Sequence, residues 1–506
     1  MRKIFCCFGL YKNIKRALAA VMAIGFVSSV LFVPDKANAK SSDDVVTLRV
    51  CSWEEYIDEG DWDEDELIEL PDADIIGDNS LVDDFTEWYF ETYGKRVNVE
   101  YSCFGTNEEL YNMLTIGDVY DLVCPSEYMF MKLMTEGKLV PYSDEFFDES
   151  VEENYYAKGV SPFIKKAFEE NEINGEKWNR YAAGYMWGVT GFLYNPEVVS
   201  KEEVSSWKFM TDSDYKRQIT IKDNVRDSLF GAVGAIKSDL LTSEAFVNSD
   251  DYHERLFEEM NDVSDETFAS ALAFLKEAGN NVYSFETDSG KADMITGKVV
   301  ANMQWSGDAV YAMDQAEEDD CYLAFQAPME ATNLYFDAWT MLKAGIGDDR
   351  EKQHAAEAFV NFLSMPENAV RNMYYIGYTS VISGGESNII PDYIDWAFGA
   401  EEDEEDVSYY DLSYFFTEDE GSEDYVLCVP TEQLDRQLGA QYPSEEVINR
   451  SAIMKCFDEE TAVKANQMWI NVRCFNLKDI PVWAFVFGGI IIVGVIFVLI
   501  INKKQK

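Results

Sequence analysis

Residues 48–58, LRVCSWEEYID, form a short apolar run with β-branched Val50 that ends in an aromatic–acid–acid–aromatic cluster. The run predicts a buried strand, and the polar residues beyond it predict the turn that ends it. A polar linker, residues 40–47, precedes it. Leu81, Phe85, Trp88 and Tyr89 recur at helical spacing, and Gly94 stops that helix. Residues 97–101 alternate valine with polar positions and predict a strand. Thr106-Asn107-Glu108-Glu109 predicts a helix start, with Thr106 or Asn107 as cap and acids in the first turn. Residues 120–124 predict another buried strand, ended by Pro125-Ser126. Strand, helix, strand, helix, strand is the rhythm of a parallel, doubly wound sheet.

Beyond this the periods are less regular. Residues 185–195, YMWGVTGFLYN, are a long apolar segment with Gly188 and Gly191, expected to cross between two lobes. Residues 219–221 predict a short strand, followed by a helix opening at Asp223-Asn224. Residues 299–305 and 334–342 predict two more strands, the second a return crossing. Helices are expected over 352–363 and 459–472. The acidic stretches 59–78 and 400–424 predict loops or insertions, and 59–78 does not meet the calcium-loop pattern.

Both ends carry membrane addresses. Arg2, Lys3, Lys12, Lys15 and Arg16 flank an apolar run at 17–33, followed by Ala37-Asn38-Ala39. Residues 1–39 thus read as a signal peptide cleaved after Ala39, with an uncleaved anchor as the alternative. Residues 482–501 are unbroken apolar sequence of spanning length, followed by Lys503, Lys504 and Lys506. This predicts a C-terminal transmembrane helix and a single-pass cell-membrane protein, its binding domain on the extracytoplasmic side.

Composition narrows the chemistry. At 506 residues there is room for two or three domains. A formal charge of −53, from 94 acids against 41 basic residues, repels nucleic acid and concentrates cations. With His253 and His354 the only histidines, histidine catalysis and His-rich metal sites are disfavoured. The cysteines show no metal-ligand spacing, and Cys51 and Cys124 are expected as buried thiols or a disulfide. No poised acid–base pair or nucleophile is visible, so an enzyme is not expected, and no cofactor is implied.

Six motifs in order over about 330 residues, LRVCSWEEYID, YDLVCPSEY, YMWGVTGFLYN, MQWSGDA, LYFDAWTML and YIGYTS, resemble the solute-binding proteins of polyamine (spermidine/putrescine) ABC transporters. The resemblance covers roughly 46–390, and more loosely the helices up to Arg473. It implies a two-lobed α/β periplasmic-binding-protein-like fold of type II, each lobe a mostly parallel sheet flanked by helices. Lobe 1 would span 46–187 and return over 334–390. Lobe 2 would span 188–333, and 391–473 would add C-terminal helices with an acidic insertion.

The resemblance also implies site residues. Trp53 and Tyr56 match first-strand aromatics of the cleft, and Ser126 and Tyr128 a pair after the third strand. Asp227 matches a second-lobe acid that holds an amine, and Trp305 an aromatic that stacks on the methylene chain. Asp337 matches the main amine-binding aspartate, with Tyr335 two residues before it, and Tyr378 matches a late tyrosine. There are departures. Asn224 replaces an aspartate of spermidine-preferring members, Glu54 replaces a hydroxyl residue, and Asp308 stands where only some putrescine-preferring members place an acid.

The residue chemistry agrees independently. A buried ammonium needs a carboxylate partner, which Asp227, Asp308 and Asp337 can supply as charge-assisted hydrogen bonds. Trp53, Tyr128, Trp305 and Tyr335 can cover methylene groups and add cation–π attraction of about 0.5–2 kcal/mol each. Taken singly, each of these aromatics is equally at home in a core, and an acid at a strand end is often a cap. The function expected is capture of putrescine or spermidine outside the cell and delivery to an ABC permease with its ATPase. Another organic cation, a membrane-anchored receptor ectodomain and a surface enzyme are the alternatives.

Overall fold

The computed structural model describes residues 45–63, 66–318, 320–419 and 422–474. The signal segment and the apolar run at 482–501 lie outside the described residues. Strand β1 (Val45–Trp53) pairs in parallel with β2 (Arg96–Phe104) and β3 (Leu122–Val123). Helix α1 (Leu81–Tyr93) is capped by the Ser80 hydroxyl and ended by Gly94 at φ 67°, a conformation that glycine adopts without a steric cost. Helix α2 (Asn107–Ile116) follows β2 and takes Thr106 as its cap, and α3 (Glu127–Thr135) follows β3.

The chain then enters β4 (Ala183–Tyr194), whose twelve residues are all buried. Burial on both faces explains its continuous apolar sequence. A second parallel trio follows: β5 (Ile219–Lys222) between β6 (Ser284–Glu286) and β7 (Ala301–Trp305). Helix α4 (Val225–Ile236) leaves β5, α5 (Gly290–Ile295) follows β6, and α6 (Ser306–Glu317) leaves β7. Strand β8 (Ala324–Gln326) pairs with β4, and β9 (Thr332–Leu342) runs back antiparallel to it.

The hydrogen-bonded order is β6-β5-β7-β4-β9-β3-β1-β2, so β4 and β9 together join the two trios. This is a two-lobed α/β fold whose antiparallel crossing pair carries parallel sheets on either side. The C-terminal ends of β1, β3, β5, β6 and β7 all lead to one cleft, the position at which open α/β sheets bind ligands. Ser451–Ala452 pairs with Thr332–Asn333, which brings the later chain back onto the crossing.

Helices α7 (Arg350–Leu363) and α8 (Pro366–Ile376) pack behind the first trio. There Phe359 meets Phe85 at 5.0 Å and Trp339 at 5.5 Å. Arg371 on α8 donates to Asp58 at 2.8 Å, to Asp84 at 2.7 Å and to the Asn79 carbonyl at 2.7 Å. Asp58 also accepts from Gly60 and Trp62, so a buried ion pair pins the loop after β1.

Two expectations change. The acidic stretches are more ordered than their composition implies. Ile68–Glu69 pairs with Asp74–Ile75, and Val407–Asp411 with Val426–Pro430, because apolar residues at 68, 75 and 429 are buried. The expected transmembrane helix, and with it a single-pass membrane location, is corrected: among the described residues no helix is long and apolar enough to cross a membrane. The last described helix, α9 (Glu459–Arg473), has 15 residues and carries polar and charged groups around its circumference. A span needs about 20 predominantly apolar residues.

Candidate functional site

A cavity of about 380 Å³ lies between the two trios, and all eleven residues expected from the sequence line it. Its first wall is the end of β1. Trp53 is half-buried against Phe104, with ring centroids 4.7 Å apart, and faces Trp305 across the cleft at 6.4 Å. Glu54 is exposed at the mouth. Glu55 takes φ 53°, a left-handed conformation unusual for a side-chain-bearing residue and costing on the order of 1 kcal/mol. That reversal turns Tyr56 into the interior, where the Tyr185 hydroxyl donates to the Tyr56 carbonyl at 2.8 Å.

Asp337 is the centre of this wall. The register of β9 against β4 shifts between Asp337 and Ala338, and such a bulge re-aims a side chain. The Tyr56 hydroxyl donates to one Asp337 oxygen at 2.6 Å and the Ser126 hydroxyl to the other at 2.7 Å. Ser126 precedes α3 but makes no side-chain cap bond, which leaves its hydroxyl for Asp337. Asn107 donates to Ser126 at 3.1 Å and to the Tyr128 hydroxyl at 3.0 Å, tying the two together. Burial pushes Asp337 up to about 6, against the pull of the two hydroxyls.

The opposite wall begins at α4. Asn224, the departure noted above, is its cap and accepts from the Arg226 and Asp227 amides. Asp227 stands in the first turn, and burial pushes it up to about 6 although Lys222 and the Trp305 indole pull it down. The Lys222 ammonium lies 3.9 Å over the Trp305 ring, so one face of that indole already carries a cation. Arg226 stacks between Tyr128 at 4.1 Å and Phe457 at 3.8 Å.

Asp308, in the first turn of α6, differs from the other two aspartates. The Tyr378 hydroxyl donates to it at 3.1 Å, Lys291 lies 3.5 Å away and Lys222 3.6 Å. Burial alone would raise its pKa, but Lys291, Lys222 and Tyr378 outweigh burial and hold it below the usual range. Asp227 and Asp337 form no ion pair with a lysine or arginine among the described residues.

Two glycines make the aromatic side of the cleft possible. A Cβ on Gly307 would lie 2.3 Å from the Tyr378 ring, and one on Gly188 would lie 2.5 Å from the Tyr335 hydroxyl. Tyr378 also meets Tyr56 edge-on at 4.8 Å. Sequence reasoning missed several further lining groups. Glu127 is fully buried and pushed up to about 8 by burial, against backbone N–H bonds that favour its charge. The side-chain amide oxygen of Asn333 is buried with no hydrogen-bond partner among the described residues, so it stands as an acceptor on a residue of the cavity wall. Glu55 and Tyr375, which lie within quoted motifs but were not singled out, and Lys291 and Tyr374, which lie in none, also line the cavity. Among the described residues no group of histidine, cysteine and acidic side chains could hold a metal ion.

Two α/β lobes on crossing strands, with buried acids and aromatic faces lining the cavity between them, have the architecture of a binding protein. The chain belongs to the bacterial extracellular solute-binding protein family, whose model matches residues 80–389. It is similar to the spermidine/putrescine-binding periplasmic protein of Escherichia coli, 25% identical over 344 residues, 67% of this chain and 79% of that one. The putrescine-binding periplasmic protein SpuD of Pseudomonas aeruginosa is 26% identical over 279 residues, 54% of this chain and 68% of that one. Among solved structures, the spermidine/putrescine ABC transporter substrate-binding protein PotD from Streptococcus pneumoniae matches with a TM-score of 0.53 at 20% identity. The match covers 85% of this chain and 98% of that one. The TpPotD lipoprotein of Treponema pallidum matches at 0.54 and 16%, covering 84% and 99%. At these identities the structural likeness is one of fold.

Proposed function

We propose that this protein captures a polyamine in the cleft between its lobes and delivers it to the permease of an ABC importer. The observation that carries the reading is the pair Asp227 and Asp337. Each is a buried carboxylate on the wall of an aromatic cavity, burial raises each toward neutrality, and neither forms an ion pair with a lysine or arginine among the described residues. An ammonium placed on each would relieve that cost and form charge-assisted hydrogen bonds. Trp53, Trp305, Tyr128 and Tyr335 supply faces for the methylene groups between the amines. The similarity to spermidine/putrescine- and putrescine-binding proteins supports the same ligand class.

In this reading lobe 2 runs from 188 to 333 and lobe 1 holds the flanking segments. Asp227 belongs to lobe 2, whereas Asp337 lies on the returning strand. A ligand touching both favours the closed arrangement, and the permease reads that closed form. Calorimetric titration of the purified chain with putrescine, cadaverine, spermidine and spermine tests the reading. Binding of at least one of them well below millimolar is expected. Absence of binding by all four would refute it.

A further inference from the structure

This inference deepens the polyamine reading and rests on it. Lys291 stands in α5, and its ammonium reaches Asp288 at 2.8 Å, Glu55 at 3.4 Å and Asp308 at 3.5 Å. Its side chain is only 13% exposed. Lys222, whose side chain is fully buried, approaches Asp308 at 3.6 Å and Glu286 at 3.8 Å. Lys291 lies nearest Oδ1 of Asp308 and Lys222 nearest Oδ2, so both carboxylate oxygens face cations that belong to the chain. Glu127, the buried glutamate of the wall, already accepts the Phe336 amide on one oxygen and the Met454 amide on the other, so two aspartates of the cleft, Asp227 and Asp337, are left for a ligand. The glutamates Glu54, Glu55 and Glu59 are exposed at the mouth. There water competes for an ammonium and an ion pair contributes little.

We propose that Lys291 is a specificity-determining residue: a tethered ammonium that occupies Asp308 and restricts the cleft to ligands with two ammonium groups. A diamine satisfies Asp227 and Asp337 and needs no third carboxylate. A triamine brings an additional ammonium into a cleft whose third aspartate is already taken, and a desolvated charge left without a partner opposes binding. Like charge on Lys291 adds to that penalty. Lys291 also bridges the two sides of the cleft through Glu55, so losing it weakens closure on any ligand. That effect is common to all amines and cancels in the ratio of their affinities.

The test is calorimetric titration of the unsubstituted protein, Lys291→Met and Lys291→Arg with putrescine and with spermidine, each protein checked by thermal unfolding. The unsubstituted protein is expected to prefer putrescine. Lys291→Met should shift the Kd ratio toward spermidine by at least about tenfold, the effect of one charge-assisted hydrogen bond. Lys291→Arg keeps the cation and should keep the ratio within about threefold of the parent, less than the effect of one such bond. If Lys291→Met does not fold, Lys291→Gln takes its place with the same expected shift. A smaller shift for the neutral variant, an equal shift for Lys291→Arg, or a parent that prefers spermidine would overturn the inference. Failure of the parent to bind either amine overturns the polyamine reading itself, and the parent titration alone reveals that result.

Discussion

Replacing Asp337 with asparagine should move stability and binding in opposite directions. In the folded protein Asp337 is 4% exposed, and burial raises it to about 6 from an ordinary 3.8. The fold therefore disfavours the ionised form relative to the unfolded chain. At about 1.4 kcal/mol per pH unit, that gap corresponds to about 3 kcal/mol of lost stability at pH 8. A carboxyl raised in the fold exerts its full cost above its folded value. The cost shrinks as pH falls through about 6 and vanishes below the unfolded value of 3.8.

Asparagine keeps the shape and removes the charge, although its single acceptor oxygen serves the Tyr56 and Ser126 hydroxyls less well. The ligand-free variant is expected to be more stable than the parent at pH 8 by roughly 1–3 kcal/mol, the lower figure allowing for one poorer hydrogen bond. The advantage should fade by about pH 4, where the parent carboxyl is protonated too. Polyamine binding should weaken by about 2–5 kcal/mol, roughly thirtyfold to several thousandfold in Kd. Urea unfolding at the two pH values and calorimetric titration at pH 8 measure the two effects. A variant less stable than its parent at pH 8, or one binding polyamine unchanged, would refute the reasoning.

Three other outcomes follow from the same geometry. Asp227 and Asp337, both raised to about 6, must be ionised to hold ammonium groups. Kd should therefore rise as pH falls from 7 to 5, by about tenfold for each acid, and proton release on binding should be visible in buffers of different ionisation enthalpy. A flat Kd over that range contradicts the assignment. Gly307→Ala places a methyl group on the Tyr378 ring, so polyamine affinity should fall by at least about tenfold while the two halves of the molecule stay folded. Arg371→Leu leaves Asp58 buried without its cation and should destabilise the protein by about 3–5 kcal/mol, read from the shift of the urea midpoint.

The elements of this fold were legible where burial imposes a period. The apolar face of α1, with Leu81, Phe85 and Tyr89, and the run of β4 each follow from which side of the element meets the core. Caps were legible for the same local reason: Thr106 and Asn224 bond amides two or three residues away. The short strand pairs that the acidic stretches enter were not. Their few buried side chains, such as Ile68 and Val429, gain their packing partners only from distant segments.

The site divides along the same line. Residues at strand ends and helix starts, such as Trp53, Ser126, Asp227, Trp305 and Asp308, were picked out chiefly through short motifs that resemble a known family, and the structure brings them to one cavity. Lys291 was not. It sits in a polar stretch without period and meets Glu55, 236 positions earlier, only through the packing of the two halves. The sequence by itself determined the strands, the helices and the chemical types gathered at their ends, because those depend on neighbours a few residues apart. Only the tertiary structure decided which carboxylates are already neutralised and which remain for a ligand. Charge pairing in a buried cleft depends on distances of a few ångströms between residues far apart in the chain, and no local pattern carries them.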